Sequence, residues 1–173
     1  MLPYFLKLKN RLISDQLSEM LIDISLNNVG KFTEHIADTG IADGNNYLHS
    51  EKLELIPEIK MLKESCSLDF YTIIYMHKPN SKVIKHIDNP KYRRSNIIHP
   101  LFPKKNYAST YFWEGDDQIA VCEFTDNLPV ILNLDKYHSL DNFDTYRINL
   151  QFSFKEDFET LVNLYQSDKL FNL

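Results

Sequence analysis

Glycine is scarce in this chain, with four among 173 residues, and cysteine scarcer, with two. So few glycines exclude long flexible linkers. Cys66 and Cys122 are too few and too isolated for a disulfide framework or a zinc ribbon. Each reads as a small buried apolar side chain in a reducing compartment. Positive charge is also short: 19 Lys and Arg face 24 Asp and Glu, a formal net charge of −5. Such a chain lacks the broad basic surface that non-specific nucleic-acid binding needs, so nucleic acid is not an expected partner. No apolar run approaches the length of a membrane span. The stretch Met1 to Lys7 is too short, and broken too early by Pro3, for a signal peptide, so the expected location is the cytoplasm, with no membrane partner.

Aromatic residues, by contrast, are abundant at 13%, nearly all Phe and Tyr, which favours strands. The length suits one domain, residues 1–173, burying roughly 70% of its unfolded surface. Tyr4 to Lys9 reads as a short strand. Ser14 suits an N-cap, and Leu17, Met20, Leu21 and Ile24 recur at helical spacing until Asn27-Asn28-Val29-Gly30. Residues 31–54 carry Gly40, Gly44, Asn45 and Asn46 without periodicity and read as a loop-rich segment bordering the active site. A second helix spans about Pro57 to Glu64, with Ile56, Ile59, Met61 and Leu62 as its buried side.

Strands then follow one another, over 68–77, 83–88, 94–101, 107–114, 118–125, 130–134 and 146–154, with turn signals between them. A closing helix spans about Asp157 to Tyr165. Short strands at close spacing predict a mainly β fold, a sandwich or barrel with its core at about 68–154 and helices covering an outer face.

The chemistry concentrates at His86-Ile87-Asp88. Side chains two apart on a strand share a face, so an imidazole and a carboxylate lie side by side. His138 is the expected third ligand. Between Asp88 and His138 there is room for about four strand-and-turn units, a path that in a jelly roll can return a strand beside the first. Two histidines and one carboxylate form a facial metal triad, the ligand set of non-haem Fe(II) oxygenases, although such nitrogen and oxygen ligands also suit Mn, Co or Zn. Arg147, nine residues after His138, offers a planar fork for the carboxylate of an anionic co-substrate. On its strand Arg147, Asn149, Gln151 and Ser153 alternate with Ile148, Leu150, Phe152 and Phe154. That pattern fits either a half-exposed strand or, with helices on the apolar face, a polar face turned into the barrel.

These residues, in order, resemble the Fe(II)/2-oxoglutarate-dependent oxygenase superfamily over about Tyr71 to Phe154, and the 137–142 segment resembles the distal-histidine turn of its compact members. The resemblance implies a double-stranded β-helix of the jelly-roll or cupin-like kind, with N-terminal helices on its outer face. It implies Fe(II) on His86, Asp88 and His138, 2-oxoglutarate on Arg147, and O2 as oxidant. The implied reaction is hydroxylation of an amino-acid side chain, free or in protein, or of a small metabolite, with release of succinate and CO2.

Asn96 and Tyr75 are further candidates for binding the co-substrate; Arg93, Arg94 and Asn149 are candidates for the substrate. Each also has a plain structural reading, as a satisfied polar, core or surface residue. Among the other histidines, His99 in its apolar run reads as structural and His77 as exposed at a strand end, while His35 and His49 have little to distinguish them. Trp113 reads as core. Two rival functions remain: a cupin-like metal enzyme that does not use 2-oxoglutarate, for which Arg147 is incidental, and a non-catalytic jelly-roll binding module. Oligomeric state leaves no mark in the sequence.

Overall fold

The computed structural model describes residues 4–31, 33–36, 42–48 and 50–172, with side chains at 4–30 and 53–172. In chain order the elements are β1 (Phe5–Lys7), α1 (Asp15–Asn27), β2 (Thr33–Ile36), β3 (Ala42–Leu48), α2 (Pro57–Ser65), β4 (Tyr71–His77), β5 (Lys82–His86), β6 (Ser95–Phe102), β7 (Thr110–Glu114), β8 (Asp117–Cys122), β9 (Val130–Asn133), β10 (Tyr137–Asp141), β11 (Arg147–Phe154) and α3 (Phe158–Gln166).

The strands form two antiparallel sheets. One has seven strands in the order β1-β9-β6-β11-β4-β3-β2, the other four in the order β5-β10-β7-β8. The expected jelly roll is thus present. Strands distant in sequence are neighbours: β11 lies between β4 and β6, and β10 between β5 and β7.

Strand β11 explains the layering. All eight of its residues are buried. Ile148, Leu150, Phe152 and Phe154 join one apolar cluster with Leu17 and Leu21 of α1, Ile59 and Leu62 of α2, and Phe158, Leu161 and Val162 of α3. The helices therefore cover the outer face of the larger sheet. Burying each such Leu or Phe side chain stabilises by about 1.5–3 kcal/mol. The alternate residues, Arg147, Asn149, Gln151 and Ser153, are at most 5% exposed. They face inward, so the half-exposed reading of this strand does not hold. A second cluster, including Ile98, Val130 and Leu132 of the larger sheet and Phe112 and Cys122 of the smaller, fills the space between the sheets.

The helix ends follow local chemistry. The Ser14 hydroxyl accepts from the Leu17 N–H, and the Asp157 carboxylate from the Thr160 N–H, each supplying a partner for a first-turn donor. The buried stripe of α1 is Leu17, Ser18, Leu21, Ile22 and Ser25. Met20, Ile24 and, on α2, Met61 are exposed, against expectation. Small serines pack where larger apolar residues were expected, rotating the buried stripe.

Residues 31–54 also differ from expectation. β2 and β3 pair with each other there, and β3 pairs with β4, so the larger sheet extends beyond the expected core. Gly, Asn and Asp are poor strand formers, but a neighbouring β4 edge supplies hydrogen-bond partners that override propensity. Gly40 lies outside the described residues. Trp113 is half-buried rather than core: its indole N–H donates to Ser139 Oγ at 2.9 Å, and Lys85 Nζ sits 5.7 Å from its ring centre. Among the described residues no helix is long and apolar enough to cross a membrane.

Candidate metal centre

His86 and His138 lie directly opposite each other on β5 and β10. The pairing contains an irregularity: Ser139 alone stands against Ile84 and Lys85, and on either side of it Leu140 meets Val83 and His138 meets His86. This is a bulge, which lets Val83 and His86 keep partners two apart although they are three apart themselves. Asp88 lies just past the end of β5, anchored where its N–H donates to the Leu134 carbonyl at 3.4 Å. His138 sits within strand β10, not in the expected turn.

The three side chains converge. Each offers one ligand atom within 4.8 Å of the other two, the one such group of three or more among the described residues. Asp88 Oδ1 is 3.8 Å from His86 Nε2, and Asp88 Oδ2 is 3.5 Å from His138 Nε2. The imidazole centres are 4.4 Å apart. His86 Nδ1 lies 2.8 Å from the Ile84 carbonyl and His138 Nδ1 2.9 Å from the Lys136 carbonyl. A carbonyl can only accept, so each Nδ1 carries the proton and each Nε2 presents its lone pair to the centre.

The charge state fits the same role. Burial, then the neighbouring His138, pushes the His86 imidazole below its ordinary value despite Asp88, favouring the neutral form that metals require. Burial opposes ionisation of Asp88, but the Arg93 guanidinium and His138 outweigh it and hold the carboxyl well below the usual carboxylate range. Arg93 Nη2 donates to Asp88 Oδ1 at 2.8 Å. A turn makes this contact: the N–H groups of Tyr92 and Arg93 both donate to the Asn89 carbonyl, and Lys91 N–H donates to Asn89 Oδ1. The chain is folded back so that Arg93 meets Asp88.

Arg147 is the other notable cation. It is 1% exposed, and its Nε and Nη2 have no hydrogen-bond partner among the described residues. Its guanidinium carbon lies 4.5 Å from the centre of the Tyr107 ring and 5.4 Å from that of Phe124. Burial lowers its proton affinity, and nearby Tyr107 and Cys122 partly restore it. Tyr107 and Phe124 share the inter-sheet cluster with Phe112, whose ring is 6.2 Å from that of His138. Arg147 and His138 thus border the same inter-sheet cluster from two sides. A buried guanidinium with unused donors is costly, and an anion with paired oxygens satisfies it.

The remaining candidates divide. Asn96 and Asn149 are buried on β6 and β11, each with an orphaned Oδ1. Tyr75, on β4 opposite Asn149, is buried with its ring 5.9 Å from the Arg93 guanidinium. Arg93 is engaged by Asp88. Arg94 is paired with Asp135 at 2.7 Å and Asp157 at 3.6 Å. His99 is fully buried, as expected. His77 is 6% exposed, not at the surface, because β3 and β11 flank it. His49 and the side chain of His35 lie outside the described residues. Sequence reasoning missed Tyr107 and Phe124, for no spacing links them to Arg147, and did not anticipate the pairing of Arg93 with Asp88.

The chain matches no family model and no curated protein. Solved structures do match. A prolyl hydroxylase from Trichoplax adhaerens, in complex with a hypoxia inducible factor peptide fragment, aligns with TM-score 0.66 and 12% identity over 92% of this chain and 87% of its own. A 2OG-Fe(II) oxygenase family oxidoreductase from Burkholderia pseudomallei aligns with TM-score 0.60 and 8% identity, covering 88% and 85%. The 2OG complex of a viral collagen prolyl hydroxylase from Paramecium Bursaria Chlorella virus-1 aligns with TM-score 0.54 and 13% identity, covering 87% and 94%. The architecture is a double-stranded β-helix with helices on one outer face. In particular, it is the fold shared by prolyl hydroxylases and other 2-oxoglutarate/Fe(II) oxygenases.

Proposed function

We propose that this chain, as a single domain, is an Fe(II)- and 2-oxoglutarate-dependent oxygenase. The observation that carries the reading is the convergence of His86, Asp88 and His138 within 4.8 Å in this fold. Two imidazoles and one carboxylate, without thiolate, are a donor set suited to Fe(II) with positions left open. Bound iron supplies oxygen activation: 2-oxoglutarate and O2 are consumed, succinate and CO2 are released, and one oxygen atom enters a C–H bond of the substrate.

The chain's own residues bind and orient. His86 and His138 keep their Nε2 lone pairs aimed through the Ile84 and Lys136 carbonyls. Arg147 takes the far carboxylate of 2-oxoglutarate, held by the rings of Tyr107 and Phe124. Tyr75 and Asn96 contribute hydrogen bonds to the co-substrate, and Asn149 lies on the same inner row for co-substrate or substrate. The substrate is an amino-acid side chain, free or in a peptide, or a small metabolite; that the Trichoplax enzyme holds a peptide favours the peptide. Two donors of Arg147 without acceptors among the described residues support an anionic co-substrate at that position.

An anaerobic melting scan tests this. Fe(II) or Mn(II) should raise the melting temperature, and 2-oxoglutarate should raise it further only when metal is present, because ligands of the native state stabilise it by mass action. No shift with either metal sinks the reading.

A further inference from the structure

Among the described residues, Arg93 is the one cation paired with a member of the triad. Its guanidinium reaches Asp88 Oδ1 at 2.8 Å, with side-chain exposures of 16% and 10%. Pairing on that oxygen leaves Oδ2 directed at His138 Nε2, 3.5 Å away. The other side of the guanidinium faces the Tyr75 ring. The turn at Asn89 sets where the arginine begins, and Ser95 starts β6 directly after Arg94, so Arg93 is held between a hydrogen-bonded turn and a strand.

A carboxylate can hold a metal through one oxygen or two. Chelation through both occupies an additional coordination position. In a facial triad that position is needed, because a 2-oxo acid takes two open positions and O2 a third. A guanidinium hydrogen-bonded to one oxygen opposes chelation, for the metal and the cation compete for the same lone pairs and repel each other. Deleting the arginine frees that oxygen and also removes the donor that fixes the rotamer of Asp88.

We propose that Arg93 is a positioning residue for the metal centre: by occupying Asp88 Oδ1 it confines the carboxylate to one-oxygen metal binding through Oδ2 and so keeps a coordination position open for co-substrate. This rests on the oxygenase reading above. The role differs from the substrate contact expected of Arg93 from sequence, and it gives the Asn89 turn a purpose beyond connecting β5 to β6.

Three measurements test it. Anaerobic titration of the full chain with Co(II), followed by visible absorption, should show tight binding to wild type. R93M, with both Asp88 oxygens free and the neighbouring positive charge gone, should bind Co(II) several-fold more tightly and with an altered spectrum. R93K, which keeps the charge but not the fork, should fall between. A merely structural role would lower the melting temperature of the metal-free variants and leave affinity and spectrum unchanged in those that fold, and that result overturns the proposal. Infrared difference spectra of wild type, metal-loaded minus metal-free, need no variant: widely separated carboxylate stretches are expected for one-oxygen binding, and a narrow separation overturns the proposal even if neither variant folds. If wild type binds no Co(II), the oxygenase reading itself falls and takes this role with it. Normal Co(II) binding with unaltered variants removes only the role of Arg93.

Discussion

Arg93 and Arg147 are two guanidiniums of one protein interior held in opposite ways. Arg93 meets a carboxylate at 2.8 Å, and the pair raises the proton affinity of the arginine while lowering that of Asp88. Arg147 meets no carboxylate among the described residues, leaves two nitrogens without acceptors, and rests against two aromatic rings. A fold selected for stability alone would neutralise both. On the oxygenase reading proposed above, the difference separates a cation whose anion belongs to the chain from one whose anion arrives from solution.

The comparison breaks most readily at Asp88. D88A strands Arg93 without its partner, and the folded state should lose about 3–5 kcal/mol in denaturant titration, together with all metal-induced stabilisation. If D88A melts like wild type, the two arginines are not held differently. R147M should do the reverse. The metal-free protein should gain about 1 kcal/mol, the penalty for unmade hydrogen bonds of about 1–3 kcal/mol less the lost ring contacts. Affinity for 2-oxoglutarate, measured by calorimetry on the Mn(II)-loaded protein, should drop by about 2–5 kcal/mol. Unchanged 2-oxoglutarate affinity in R147M removes the proposed anion.

His99 sharpens the contrast from the helix side of the larger sheet. Burial, then Arg11, lowers its titration to about 4, only partly opposed by the Pro100 carbonyl. The unfolded imidazole titrates near 6.5 and so takes up its proton first as pH falls. Stability from this residue is complete above about pH 6.5 and declines between about 6.5 and 4, by up to about 3 kcal/mol. The difference in stability between wild type and H99L should change with pH across that window and nowhere else. The smallest effect is expected at the N-cap of α1, where S14A removes the acceptor for the Leu17 N–H at a cost of about 1 kcal/mol and leaves metal affinity unchanged.

Much of this was legible in the sequence because period-two alternation and turn residues are local signals. The two-faced character of β11 was visible, and so were the four strands β6 to β9 between Asp88 and His138, and with them the order of the site residues. What alternation leaves open is which side of a strand is covered. β11 became buried on both faces only once three helices closed over it. The pairing of β2 and β3, the burial of His77 between flanking strands and the half-exposed Trp113 likewise depend on neighbours far away in the chain. The β5 bulge was not legible either. Strict alternation would set Val83 and His86 on opposite faces, and only the mismatch with β10 reconciles them.

Both histidines are aimed by the same short device: a carbonyl two residues earlier in their own strand or turn holds the ring nitrogen that points away from the centre. The placement of the ring proton is therefore encoded within three consecutive residues, while the face each ring takes depends on the pairing of β5 with β10. The tripeptides ending at 86 and 138 thus fix which nitrogen faces the centre, and the paired strands fix where the ring points.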